Sequence, residues 1–205
     1  LSADEEEAAR DLVRASVDDS AFQAIETFVR CCQHWGAVQN LVGAADRARL
    51  WSRHVLDSLQ LVPLVAGRTA IDLGSGAGFP GLVVALARPE IEMTLVEANR
   101  KKAAFLIHAA AAAGRTVRVE SRRAEALAAV ARDTVTARAV APLPALLALA
   151  LPFFGGSTVG LFPKGREAAA EIGAARTSFR FAVERHPSRT DPAGCVLAVT
   201  RLGRI

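Results

Sequence analysis

Tyrosine is absent from this chain of 205 residues, and methionine occurs once. Hydride-transfer enzymes often rely on a tyrosine as proton donor, and that route is closed here. Cysteine is scarce: Cys31 and Cys32 are adjacent, Cys195 is remote, and there is no C-x-x-C pair. Neither a disulfide framework nor a structural zinc site is expected, no metal is expected, and the pattern fits a reducing, cytoplasmic compartment. Lysine is confined to Lys101, Lys102 and Lys164 among 25 basic residues, so the basic character is carried by arginine. Arginine pairs bidentately with phosphate and stacks on bases. The net charge of +4 fits an RNA partner and an ordinary solvated surface equally well. Residues 139–163 carry no charge, a length that could span a bilayer. Pro142, Pro144 and Pro152 interrupt that stretch, and Gly155-Gly156 ends its first part, so it reads as a turn, a buried helix and a buried strand. The acidic start, "LSADEEEAAR", is unlike a signal peptide, and no membrane partner is expected.

What is present divides into two parts. Residues 1–64 read as a helical region. Within it, Phe22, Ile25, Phe28, Val29 and Cys32 recur at helical spacing, as do Leu50, His54, Leu56, Leu59 and Leu61. Pro63 and Gly67 close it. Residues 65–205 read as alternating strands and helices. "TAIDL", "IEMTLVEA", "TVRVES", "DTVTARAV" and "STVGLFPKG" are strand-like. "PGLVVALAR", "RKKAAFLIHAAAAAG" and "RAEALAAVAR" are helix-like, with a further helix between the last two strands. This alternation predicts an α/β fold with a doubly wound, mostly parallel sheet. "FRFAVERH" and "GCVLAVTRL" have no helix between them and predict an antiparallel hairpin at the sheet edge.

The loop after the first strand, "DLGSGAGFPG" (72–81), holds four glycines in eight residues. Ligands of doubly wound sheets sit beyond the carboxyl ends of the strands, and glycine lets the backbone approach them. Glu97 ends the second strand, where a carboxylate can accept hydrogen bonds from both ribose hydroxyls. Gly76-Ala77-Gly78-Phe79-Pro80-Gly81 matches the NAD pattern G-x-G-x-x-G by letter, a weak signal alone. In the NAD fingerprint the glycines follow the strand at once. Here "LGSG" intervenes, and the run from Asp72 looks instead like the first motif of class I S-adenosylmethionine methyltransferases. The latter is favoured, with NAD as the competing ligand.

Three stretches, "RHVLDS" (53–58), "GSGAGFPG" (74–81) and "LFPKG" (161–165), together closely resemble the RsmG (GidB) family of bacterial small-subunit ribosomal RNA guanine-N7 methyltransferases. "RAEAL" (123–127) and "ARAVAPL" (137–143) extend the likeness. The resemblance implies a class I methyltransferase fold with S-adenosylmethionine as cofactor and small-subunit ribosomal RNA or the small ribosomal subunit as partner. It implies cofactor-binding roles for Asp72, Gly74, Gly76, Phe79, Glu97, Ala124, Glu125 and Arg138. Arg138 is expected beside the methionine end of the cofactor and is one catalytic candidate; Asp57 is the other, as a carboxylate that could stabilise the positive charge N7 methylation places on the base. RNA contacts are expected from Asn40, Arg53, His54, Arg122, Arg123 and Lys164. Val42 departs from the family pattern after Asn40, and Cys195 stands where a basic residue is expected. For Arg53, His54 and Asp57 a purely structural tie between the helical region and the sheet is an equal alternative. His54 and Asp57 are three apart and can share a helix face. A monomer is expected.

Guanine N7 carries a lone pair and no proton, so its methylation needs no general base. The end of the fourth strand, "ARAVAPLP", lacks the Asn/Asp-Pro-Pro-aromatic motif of exocyclic-amine methyltransferases, and no cysteine nucleophile lies near it. A second reading from another class is a non-catalytic RNA-binding or ribosome-assembly factor on the same fold. The intact glycine loop and Glu97 weigh against it.

Overall fold

A computed structural model describes residues 3–39 and 47–205. Asn40 and Val42 lie outside the described residues. The helical region opens with α1 (Ala3–Ser16) and α2 (Asp19–Gln39). The Asp18 carboxylate accepts from the Ala21 amide at 2.8 Å and caps α2. An Arg10–Glu26 ion pair ties the two helices. A π-helical turn, Leu50–Val55, leads directly into the short α3 (Leu56–Leu59). Glu6 satisfies the start of that turn by accepting from the Trp51 and Ser52 amides at 2.9 and 3.0 Å. π-Helical turns recur at functional sites, and this one carries Arg53 and His54.

The sheet is built from β1 (Thr69–Leu73), β2 (Glu92–Val96), β3 (Arg118–Glu120), β4 (Thr134–Thr136), β5 (Val159–Lys164), β6 (Phe179–Pro187) and β7 (Cys195–Arg204). Their spatial order is β3-β2-β1-β4-β5-β7-β6. The first five strands pair in parallel, and β7 runs antiparallel to both β5 and β6. The predicted doubly wound sheet and its C-terminal hairpin are both present. The helices are α4 (Gly81–Ala87), α5 (Arg100–Ala112), α6 (Leu143–Ala150) and α7 (Ala168–Ala175). Phe22, Ile25 and Phe28 of α2 are fully buried in one core with Leu82 of α4, Phe105 and Leu106 of α5 and Leu95 of β2. Leu146, Leu147, Phe153, Phe162 and Leu197 fill a second core.

Two expectations change. "RAEALAAVAR" forms only a 3-10 turn at Ala124–Ala126. Tertiary partners serve its far end: the Arg132 amide donates to Phe153 O at 2.9 Å. The second change is α7, a helix the sequence reading did not assign. It returns the chain so that β6 lies parallel to β5 and the 188–194 loop lands at the carboxyl edge of the sheet.

Candidate active site

The glycine loop connects β1 to α4. Gly74, Gly76 and Gly78 take φ of 67°, 56° and 97°, the left-handed region that favours glycine. A Cβ on Gly76 would meet only Gly74 O, at 3.8 Å, so the space above that residue is open. The Gly76 amide donates to Glu97 Oε2 at 2.9 Å, and the Asn99 amide donates to Glu97 Oε1 at 2.7 Å. The structure thus joins Gly74, Gly76 and Glu97 in one place, with the carboxylate oriented against the loop.

Asp72 lies beneath the loop, fully buried. Its Oδ1 accepts from Thr136 Oγ1 at 2.7 Å, while Oδ2 has no well-aligned partner among the described residues. Burial pushes its carboxyl up to about 6; the Thr136 and Ser75 hydroxyls, the Gly81 amide and the Arg138 charge restrain the rise. Asp72 can therefore act on a ligand only through the loop it supports. The folded state holds a proton here that the unfolded chain gives up from about pH 4. Stability contributed below pH 4 is lost as pH rises through about 6. The gap of roughly two units corresponds to about 3 kcal/mol. Thermal unfolding should show a falling Tm between about pH 4.5 and 7, and Asp72→Asn should remove that fall. Four other carboxyls are held below the usual range: Glu26 by Arg10, Glu90 by Arg88, Glu120 by Arg122 and Arg118, and Asp133 by the Thr69 and Arg68 amides. Their contributions are lost only as pH falls below about 4, outside this window. A flat wild-type profile would contradict the assignment.

The second constellation joins three remote segments. Arg138, just past β4, donates to Asp57 Oδ2 at 3.0 Å and to Arg53 O at 3.3 Å. Its other terminal nitrogen is 2.7 Å from His54 Nδ1. Arginine only donates, so Nδ1 accepts and the ring proton sits on Nε2. The His54 ring stacks on Phe79 with centroids 4.9 Å apart, and the Arg138 guanidinium lies 5.6 Å from the centroid of the same ring. Phe79 is itself buried, packing on Phe28 at 5.1 Å. Asp57 Oδ1 accepts from Gln60 Nε2 at 2.7 Å and Thr190 Oγ1 at 2.8 Å. Gln60 Oε1 accepts from the Arg189 amide at 3.0 Å. Asp57 and Arg138, expected as separate catalytic candidates, are thus brought into direct contact. Both Asp57 oxygens are already engaged, which makes it an anchor for Arg138 rather than a free anion. His54 and Asp57 do tie the helical region to the sheet.

Beside this cluster a cleft of about 570 Å³ opens at the carboxyl ends of β4 and β5. Arg53, His54, Asp57, Arg138, Lys164 and Cys195 are among its lining residues. Ala139 adopts φ 56°, which turns the chain and brings Val140 over Gly74. That contact links the cleft to the glycine loop.

Of the remaining candidates, Lys164 lines the cleft with Cys195, and the others stand elsewhere. Ala124 is buried and Glu125 exposed in the 3-10 turn after β3. Arg122 is held by Glu120 at 2.7 Å. Arg123 is exposed and has no ion pair among the described residues. Lys164 is largely buried: its Nζ donates to Ala141 O at 2.8 Å and to Glu171 Oε2 at 2.7 Å. This anchors the start of α6, since the same Glu171 oxygen accepts from the Leu143 amide. Cys195 is the cross-strand neighbour of Lys164 and is buried. Gln60, Thr190 and Glu171 carried no sequence signal. They lie in stretches whose local pattern reads only as helix or turn.

Similarity to known proteins points the same way. Solved structures share the fold: the N-methyltransferase NodS from Bradyrhizobium japonicum, in complex with S-adenosyl-L-homocysteine, matches with a TM-score of 0.56 at 12% identity, covering 82% of this chain and 97% of that one. A TehB-like SAM-dependent methyltransferase from Corynebacterium glutamicum matches with a TM-score of 0.56 at 13% identity, covering 86% and 98%. In sequence the chain is 42% identical over 200 residues to ribosomal RNA small subunit methyltransferase G of Methylobacterium sp. (strain 4-46), covering 94% of each. It is 43% identical over 204 residues to the protein of that name in Acidiphilium cryptum, covering 95% of this chain and 92% of that one. The family model GidB, rRNA small subunit methyltransferase G, matches residues 21–190. With its glycine loop, Glu97 and the Arg138 cluster on this sheet, the chain belongs to the rRNA small subunit methyltransferase G family.

Proposed function

We propose that this protein transfers a methyl group from S-adenosylmethionine to N7 of a guanine in small-subunit ribosomal RNA, acting as a monomer in the cytoplasm. The observation that carries this reading is Glu97 held against the open, left-handed Gly74–Gly76 turn, next to a cleft large enough for a nucleobase. These residues fit the cofactor: a carboxylate acceptor for ribose hydroxyls stands beside backbone with open space above it. S-adenosylmethionine supplies, when bound, a methyl group on a sulfonium centre.

The chain's part is alignment. Gly74, Gly76 and Glu97 bind, Asp72 and Phe79 support the loop from below, and Ala124-Glu125 border the adenine. Arg138, set by Asp57, fixes the wall between cofactor and cleft. N7 needs no proton removed, and positioning alone can supply much of the rate. The major groove of A-form RNA admits no side chain, so the target base must be unpaired or flipped. Arg53 and Arg123 have no side-chain ion pair among the described residues and serve the RNA backbone. Arg122, positioned by Glu120, and Lys164, positioned by Glu171, are further RNA contacts, as is Asn40. Residues 1–64 act as a helical cap on the 65–205 methyltransferase domain.

Tritiated-methyl transfer to unmodified small-subunit RNA, followed by mapping of the modified base, tests this. The expected product is one 7-methylguanosine. Cofactor binding by calorimetry without transfer to any such RNA would overturn it.

A further inference from the structure

The cleft beside the Arg138 cluster contains three carboxylates, Asp57, Glu171 and Asp191, among the described residues. Asp57 is taken up by Arg138, Gln60 and Thr190. Glu171 is neutralised by Lys164 and also accepts the Leu143 amide. Asp191 differs. It forms no ion pair among the described residues, and its Oδ2 accepts no hydrogen bond among them. Its position is nevertheless built. Oδ1 accepts from the Ala193 amide at 2.9 Å, the Asp191 amide donates to Ser188 Oγ at 3.2 Å, and Asp191 O accepts from the Gly194 amide at 2.9 Å. The residue is half-buried, on the tight loop joining β6 to β7. Thr190 and Arg189 of the same loop bond Asp57 and Gln60, so the loop is locked to the cluster that holds Arg138.

The placement has a consequence for base choice. β7 lies three strand spacings from β1, about 14 Å. Asp191 therefore stands across the cleft from the glycine loop. Between them lie the apolar walls Val140, Ala141, Pro142 and Pro163. A base extruded into this space has its faces against the walls and one edge toward Asp191. Flipped bases are read by hydrogen bonds to the Watson–Crick edge. Guanine alone presents two adjacent donors there, N1–H and the 2-amino group. A carboxylate accepts both, each oxygen having two lone pairs. Adenine and cytosine present a ring-nitrogen acceptor beside their single donor, and uracil flanks its N–H with carbonyls; each would set a lone pair against the anion. With guanine's Watson–Crick edge on Asp191, N7 faces the opposite side, toward β4 and the glycine loop.

We propose that Asp191 is a specificity residue that reads the N1–H and 2-amino group of the target guanine and turns N7 toward the methyl donor. This rests on the methyltransferase reading above. The test uses small-subunit RNA carrying guanosine or inosine at the mapped target. Inosine keeps N7 and loses only the 2-amino group. The wild type should lose about tenfold or more in kcat/KM on the inosine RNA, the scale of one charge-assisted hydrogen bond. Asp191→Asn should lose about ten- to a hundredfold on the guanosine RNA and no longer discriminate the two. Its affinity for S-adenosylmethionine by calorimetry should stay at the wild-type value. Asp191→Ser, which keeps an oxygen for the Ala193 amide, should behave like Asp191→Asn and separates base reading from loop integrity. A wild type that treats guanosine and inosine RNA alike overturns the proposal without any variant. So do variants that still discriminate as the wild type does. If the wild type methylates neither RNA, the methyltransferase reading itself fails, and this inference with it.

Discussion

Arg138→Met should lower stability by about 3 kcal/mol and methyl transfer by about a hundredfold, and Asp57→Asn added to it should restore part of the stability and none of the transfer. The pair is mostly buried, each side chain retaining 17% exposure. Removing one partner of such a pair strands the other charge, and the stranded charge dominates the cost. The amide introduced by Asp57→Asn carries no charge and still offers an oxygen to Gln60 and Thr190, so the double variant loses the electrostatic penalty without orphaning those donors. Transfer does not recover, because no side chain then holds the cleft wall against His54 and Phe79. Urea unfolding of the two single variants and the double variant gives the coupling, and single-turnover transfer gives the rate. Strictly additive stability losses would mean that the 3.0 Å contact carries no coupling.

Gly81→Ala should cost at least about 3 kcal/mol, while Gly76→Ala should cost about 1 kcal/mol and weaken cofactor binding instead. At Gly81 a Cβ would fall 2.5 Å from Asp72 Cβ and 2.6 Å from Leu95 Cδ2. Those neighbours belong to β1 and β2, so the start of α4 would have to lift off the sheet. Gly76 has room for a Cβ, and its cost is the left-handed φ of 56° alone. The added methyl would stand on the open side of the loop, beside Glu97. Thermal unfolding and calorimetry with S-adenosylmethionine separate the two effects. A stable Gly81→Ala protein would show that α4 is not packed on Asp72 as described.

The order of strands and helices follows from patterns a few residues long. "TAIDL" and "IEMTLVEA" alternate with "PGLVVALAR" and "RKKAAFLIHAAAAAG", and this by itself implied a parallel sheet with its ligand at the carboxyl edge. The glycine loop was legible for the same reason, since only glycine takes up successive positive φ without strain. Glu97 was legible from its place at a strand end. The stretch after β3 was not. Its residues favour a helix locally, but tertiary bonds at its far end hold it as extended chain.

Tertiary structure alone decided which charges are spent. Lys164 and Arg122 read as free cations in sequence, yet Glu171 and Glu120 hold them. Asp57 read as a free carboxylate, yet its partners come from 81 and 133 residues away in the chain. Asp191 carried no sequence signal, and among the described residues folding left it the cleft carboxylate with an oxygen to offer and no ion-pair partner. The physical reason is the range of the forces. Backbone preference and periodic burial act over one or two helical turns and are written in spacing. A side chain's charge is settled by whichever group the completed fold sets within about 3 Å of it, and no local pattern records that distance.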